Sequence, residues 1–149
     1  MASTRNNGHS SSNDDAILFA ACEQGDLQTI RFHLDSLSAS KIASIRDNHG
    51  ATLVHFAARY GHLNILEYLI ETKRLDLSQL RTEHGATCAH DAAVCDQVQT
   101  LYYIFNNQKQ QTHFAEQIRW TVRDSHGNTL LHLGMMKYRL FDREILVFL

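Results

Sequence analysis

Asp47-Asn48-His49-Gly50-Ala51-Thr52-Leu53-Val54-His55-Phe56-Ala57-Ala58 opens a frame that the chain uses more than once. It returns as Thr82-Glu83-His84-Gly85-Ala86-Thr87-Cys88-Ala89-His90-Asp91-Ala92-Ala93, and again as Asp124-Ser125-His126-Gly127-Asn128-Thr129-Leu130-Leu131-His132-Leu133. The glycines Gly50, Gly85 and Gly127 stand 35 and 42 residues apart. A fainter unit comes first: Ala21-Cys22-Glu23-Gln24-Gly25-Asp26-Leu27 matches Ala57-Ala58-Arg59-Tyr60-Gly61-His62-Leu63 at an offset of 36. Self-similarity at this period marks a solenoid of short supersecondary units.

The second unit shows the physics most clearly. Asp47-Asn48-His49-Gly50 is turn chemistry, and glycine takes the positive φ that other residues resist. Thr52 is positioned to cap a short helix by accepting from an unpaired first-turn amide. Val54, Ala57 and Ala58 give that helix a small-residue face, which lets a neighbouring helix approach closely. Gly61 ends it as a left-handed cap. A second helix follows over residues 64–72, with Leu63, Leu66, Leu69 and Ile70 on one apolar stripe. Neither helix can bury its stripe alone, so the pairs stack.

On these residues the chain resembles the ankyrin repeat. The matching stretches are Thr52-Leu53-Val54-His55-Phe56-Ala57-Ala58, Thr87-Cys88-Ala89-His90-Asp91-Ala92-Ala93 and Thr129-Leu130-Leu131-His132-Leu133. The resemblance implies an all-α ankyrin-repeat solenoid of about four stacked helix-turn-helix units joined by β-hairpin-like turns. The expected units span about 14–46, 47–81, 82–123 and 124–149, after a disordered polar tail over 1–13. Thr52, His55, Gly61, Thr87, His90, Asp91, Thr129 and His132 are then structural motif residues. The histidines would hydrogen-bond the turn of their own or the adjacent repeat, and Asp91 would bond across to a neighbouring turn or contact a partner.

A narrower likeness lies in VHFAARYGHLNILEYLIE followed by GATCAHDAA, which is similar to the N-terminal ankyrin repeats of the espin family. It implies an actin-cytoskeleton protein, cytoplasmic, whose repeats bind partners such as class III myosin tails. The actin-bundling module of that family lies downstream of its repeats, and nothing here matches it. The rival expectation is an ankyrin adaptor or regulatory region of an unrelated protein, such as an enzyme adaptor or a channel's cytosolic domain.

Two departures interrupt the frame. Asn106-Asn107-Gln108-Lys109-Gln110-Gln111 lengthens the third unit, and an insertion of about seven residues is expected there as a loop between repeats. At the end, Gly134-Met135 replaces the paired small residues. Residues 139–149 are amphipathic enough for a helix, yet lack the polar outer face of a terminal repeat, as in a fragment or a divergent last unit.

Composition excludes several other functions. The chain of 149 residues is 44% hydrophobic and 20% charged, so it is globular rather than disordered as a whole. A formal charge of −2 gives no basic footprint for nucleic acid or an anionic membrane surface. No apolar run is long enough to cross a bilayer. Three cysteines suit reduced thiols better than a disulfide framework. Proline is absent altogether; Leu53, Cys88 and Leu130 hold the first helical positions where proline would preorganise the backbone.

No catalytic constellation emerges, so neither an enzyme nor a cofactor is expected. His84, Cys88, His90 and Cys95 have no zinc spacing, and no glycine-rich phosphate loop is present. His49, His84 and His126 fall one per turn, and helix-packing distance places successive turns about 10 Å apart, too far to share an ion. They read instead as a partner-binding ridge. In ankyrin domains partners commonly meet the turn tips and first-helix ends. By motif position those are Glu23, Gln24, Asn48, His49, Arg59, Tyr60, Glu83, His84, Ser125 and His126. Phe105, Phe114 and Trp120 read as core packing; an exposed Trp120 would instead be a binding anchor.

Overall fold

A computed structural model of the chain describes residues 11–110, 122–129 and 132. Within them the elements are helices: α1 (Ser11–Gln24), α2 (Leu27–Leu34), α3 (Ala39–Ser44), α4 (Leu53–Tyr60), α5 (Leu63–Glu67), α6 (Cys88–Val94) and α7 (Val98–Gln110). A π-turn, Tyr68–Thr72, continues α5, and a 3-10 turn spans Leu77–Gln79. The β-structure described is an isolated bridge between Arg123 and Thr129. This is the stack of helix pairs that the period implied: α1 with α2, α4 with α5, and α6 with α7. Residues 1–10, Phe114, Trp120, Leu130 and the expected helix over 139–149 lie outside the described residues.

Each pair is made by the same punctuation. Gly25 and Gly61 take φ of 77° and 76°. Behind them Asp26 N donates to Ala21 O, and His62 N to Ala57 O, both at 2.9 Å. This bond from beyond the cap back across the last turn satisfies a carbonyl that the helix end orphans. Asp26 then caps α2, its carboxylate accepting from the amides of Gln28 and Thr29. The Thr29 hydroxyl, which donates to the same carboxylate at 2.6 Å, and then these amides hold the carboxyl below its ordinary range.

The first helices pack through small residues. α4 lies between α1 and α6, and Val54, Ala57, Ala58, Ala89, Ala92 and Ala93 are buried. The second helices add the bulk: Ile30, Leu34, Ile65, Leu66, Leu69 and Ile104 are each 0% exposed. Burying a leucine or isoleucine side chain is worth about 1.5–3 kcal/mol. Cys22 and Cys88 belong to this core, and burial pushes both thiols up to about 12. They are therefore thiols, not thiolate nucleophiles, at neutral pH.

Two boundaries differ from expectation. α1 begins at Ser11, so Ser11, Ser12 and Asn13 join the helix rather than the tail. α7 runs through Asn106–Gln110, so this part of the expected loop insertion lengthens a helix instead. The run contains no glycine or proline to stop it, and glutamine and lysine are good helix formers.

The outer helices carry an aromatic at one register. Phe32, Tyr68 and Tyr103 are 36 and 35 residues apart. Tyr68 Oη donates to Asp35 of the preceding unit at 2.7 Å, and Tyr103 Oη donates to Glu71 at 2.8 Å. Arg31 lies over the Tyr68 ring, 5.3 Å from its centroid. Phe32, in the first unit, is 83% exposed.

Asp96 occupies the position of Gly25 and Gly61, with φ of 60°. A residue with a Cβ in this region costs about 1–2 kcal/mol. Its Oδ1 is buried without a hydrogen-bond partner among the described residues. Asp96→Gly should therefore raise unfolding free energy by about 1 kcal/mol in a urea titration; a loss would mean that the carboxylate is satisfied in solution. The proline positions separate by packing. Thr52 and Thr87 are extended, with ψ of 174° and 166°, as the residue before proline requires. Both Leu53 and Cys88 are 1% exposed, and only cysteine is close to proline in size. Cys88→Pro should gain about 0.5 kcal/mol while Leu53→Pro loses stability through its lost packing, which thermal melts of the two variants would check.

Candidate partner-binding face

Three turns project as fingers over 47–51, 82–86 and 124–128, and each is braced from within. Asp47 N donates to Ala51 O at 2.9 Å, Thr82 N to Ala86 O at 3.0 Å and Asp124 N to Asn128 O at 3.0 Å. In the first and third fingers the opening aspartate accepts from two amides, His49 and Ala51 or His126 and Asn128. In the second, Thr82 Oγ1 accepts from Ala86 N. An arginine closes each finger from the residue before it. Arg46 donates to Gly50 O at 2.7 Å, Arg81 to Gly85 O at 3.3 Å and Arg123 to Gly127 O at 2.7 Å.

The fingers are also joined to one another. Glu83 N donates to His49 O at 3.0 Å and Ser125 N to His84 O at 2.7 Å. Gly50 is obligatory in that contact. Its φ is 74°, and a Cβ there would stand 2.9 Å from the Glu83 amide nitrogen. The tips therefore form a backbone-registered row, on which Asn48, His49, Glu83, His84, Ser125 and His126 are all exposed.

A threonine–histidine box roots each finger in its helix. Thr52 N donates to His55 Nδ1 at 3.1 Å, and Thr52 Oγ1 lies 2.9 Å from the same nitrogen. An Nδ1 that accepts an amide proton is unprotonated, so Nε2 carries the hydrogen and donates to Ala86 O of the next finger at 3.2 Å. His55 thus bonds the turn of its own repeat and of the adjacent one. His90 makes the same box with Thr87, at 3.2 and 2.9 Å. His132 makes it with Thr129, at 3.4 and 2.7 Å. At His90 the forward contact is looser: the backbone of Val122 and of Asn128 acts on the ring, against the burial that lowers its pKa, but the buried Nε2 makes no hydrogen bond of full geometry among the described residues.

The remaining expected contacts, Glu23, Gln24, Arg59 and Tyr60, lie apart from the tips, at the ends of α1 and α4. Tyr60 Oη donates to Glu23 at 3.3 Å, and His62 Nε2 lies 3.0 Å from Glu23 O. Tyr60 is 42% exposed, and Gln24 is exposed. Arg59 is only half-exposed, held over the Phe56 ring at 5.0 Å and paired with Asp91 at 3.3 Å. Asp91 therefore bonds across to helix α4, not to a neighbouring turn. Burial raises its pKa, and the Arg59 guanidinium opposes that rise.

The turn histidines need a second correction. His84 and His126 have ring centroids 5.9 Å apart, not about 10 Å, because the tip bond brings neighbouring fingers closer than their helix axes. The three arginines, by contrast, escaped the sequence reading. Their signal was present: Arg46, Arg81 and Arg123 repeat at the same 35 and 42 residues as the glycines.

A family model described as ankyrin repeats, in three copies, matches residues 18–115. The chain belongs to the ankyrin-repeat family. The match covers the three helix pairs, and the finger over 124–128 repeats their turn geometry beyond it. A search of curated proteins finds no match. Among the described residues no group of three or more metal-ligating side chains occurs, and no helix is long and apolar enough to cross a membrane.

The histidine boxes of this ankyrin stack have a pH signature. Burial lowers His55 from 6.5 to about 4. Its folded pKa lies below the unfolded one, so the unfolded chain takes up the proton first. The stabilisation is complete above pH 6.5 and is lost as pH falls toward 4. The full effect is about 3 kcal/mol. Urea unfolding across this window should show a steeper fall for wild type than for His55→Gln; equal slopes would mean that the imidazole does not carry the titration.

Proposed function

We propose that the chain is a non-enzymatic protein-interaction module, the ankyrin region of an espin-like actin-cytoskeletal protein that is cytoplasmic and binds class III myosin tails. Ankyrin repeats are interaction scaffolds, and membership of that family supports the coarser half of this reading. The finer half rests on the sequence likeness around GATCAHDAA. The geometric support is the braced row of finger tips. Its six exposed side chains sit on backbone already fixed in the free protein, so binding costs little ordering entropy.

The partner segment is helical or extended and carries lysine or arginine facing Glu23 and Glu83. Both carboxylates are exposed, and Tyr60 beside Glu23 supplies an aromatic ring on which a basic side chain can stack. Actin contacts belong to a bundling module outside this chain.

Pull-down and titration with a class III myosin tail test the reading. Wild type should bind, and the double variant His49→Ala/Tyr60→Ala should bind about tenfold more weakly, the effect of losing one or two interface anchors. Binding that is absent in wild type, or unchanged in the variant, overturns the espin-like assignment and leaves an interaction module with another partner.

A further inference from the structure

We propose that His84 and His126 form a two-imidazole site for a divalent transition-metal ion of the zinc class. The two residues occupy equivalent positions on neighbouring finger tips, and their ring centroids stand 5.9 Å apart with planes inclined at 51°. Two imidazole nitrogens sharing one zinc at 2.0–2.1 Å lie about 3.4 Å from each other at a tetrahedral angle. In such a pair each ring centre lies about 3.2 Å from the metal, along its own nitrogen, so the two centres stand about 5–6 Å apart, and the observed 5.9 Å falls in that range. Both side chains are exposed, so rotation about their own bonds completes the approach without moving the backbone.

The backbone beneath them is already set. Ser125 N donates to His84 O at 2.7 Å, which fixes the spacing of the two tips. Thr82 and Arg81 brace one finger; Asp124 and Arg123 brace the other. Binding orders two side chains and no loop, which is the condition for a preorganised site. Imidazole suits zinc, copper and nickel, whereas magnesium and calcium prefer oxygen. Among the described residues no third histidine, cysteine or carboxylate completes the set. Two coordination positions are then filled by water or by other donors from outside the described residues.

Charge around the site is mixed. Glu83 precedes His84, and its exposed carboxylate offsets an added dication. The Asp124 carboxylate is occupied by the amides of His126 and Asn128 and by the Asn128 side chain, so it braces the finger instead of ligating. Arg81 and Arg123 point to Gly85 O and Gly127 O within their own fingers.

Zinc titration of the full chain by calorimetry tests the assignment, with thermal melts confirming that each variant is folded. Wild type should bind one zinc ion. His84→Ala and His126→Ala should each weaken binding about tenfold or more, since changes even in the outer shell of a metal site reach that size. His49→Ala, which removes the remaining turn histidine, should leave it unchanged. No binding to wild type, binding that persists in His84→Ala/His126→Ala, or an equal loss in His49→Ala would each overturn the site. The result is independent of whether a myosin tail binds, because zinc alone is the probe.

Discussion

One neutral imidazole, held between two repeats, sets the geometry on which the rest of the stack depends. His55 accepts from Thr52 at its own helix start and donates to Ala86 O of the next finger. Neither bond survives a change of tautomer, and a protonated ring would point a donor at the Thr52 amide. Burial keeps the ring neutral. In return the ring satisfies polar groups that the close approach of α4 and α6 shuts off from water. The small-residue packing and the histidine box therefore require each other. Alanines bring the helices together, and the imidazole makes that closeness affordable for the backbone.

From this box the structure extends in both directions along the stack. Histidine reaches forward to the next finger, and tyrosine reaches back to the carboxylate of the preceding unit, as Tyr68 does to Asp35 and Tyr103 to Glu71. The tips add a third connection through backbone alone. The second and third units are thus tied to each other at the inner root, the outer helix and the finger tip. That arrangement explains why the candidate contact residues can be exposed and still well positioned. Their side chains face solvent, while the chain beneath them is hydrogen-bonded to the neighbouring finger.

The sequence exposes part of this because the repeat samples the same environment several times. Gly50, Thr52, His55 and the paired alanines return together as Gly85, Thr87, His90, Ala92 and Ala93, and the helices, their caps and the alanine face follow from residue type alone. What escaped it has physical reasons. The length of α7 depends on the absence of a breaker in Asn106–Gln110, and polar composition alone does not distinguish a helix from a loop there. Asp91 pairs with Arg59 across an interface whose register no single repeat reveals. The spacing of His84 and His126 follows the finger tips, not the helix axes, so a helix-packing distance overstates it. The arginine braces were legible, since they share the glycine period; they were hidden by the habit of reading exposed cations as solvated surface.

The connections are not equally strong along the stack. Between the first two fingers, forward histidine and tip bond act together, with Arg46 adding a bond to Arg81 O at 2.8 Å. Between the second and third, His90 meets the backbone of Val122 and Asn128 without full hydrogen-bond geometry, and the units are separated in sequence by seven more residues than in the preceding step. The tip bond from Ser125 N to His84 O remains, at 2.7 Å. Among the described residues, the direct backbone bond that aligns the third finger on the second is the one at its tip. A ligand that engages both His84 and His126 acts beside that tip bond, so it reinforces the register of the second and third fingers.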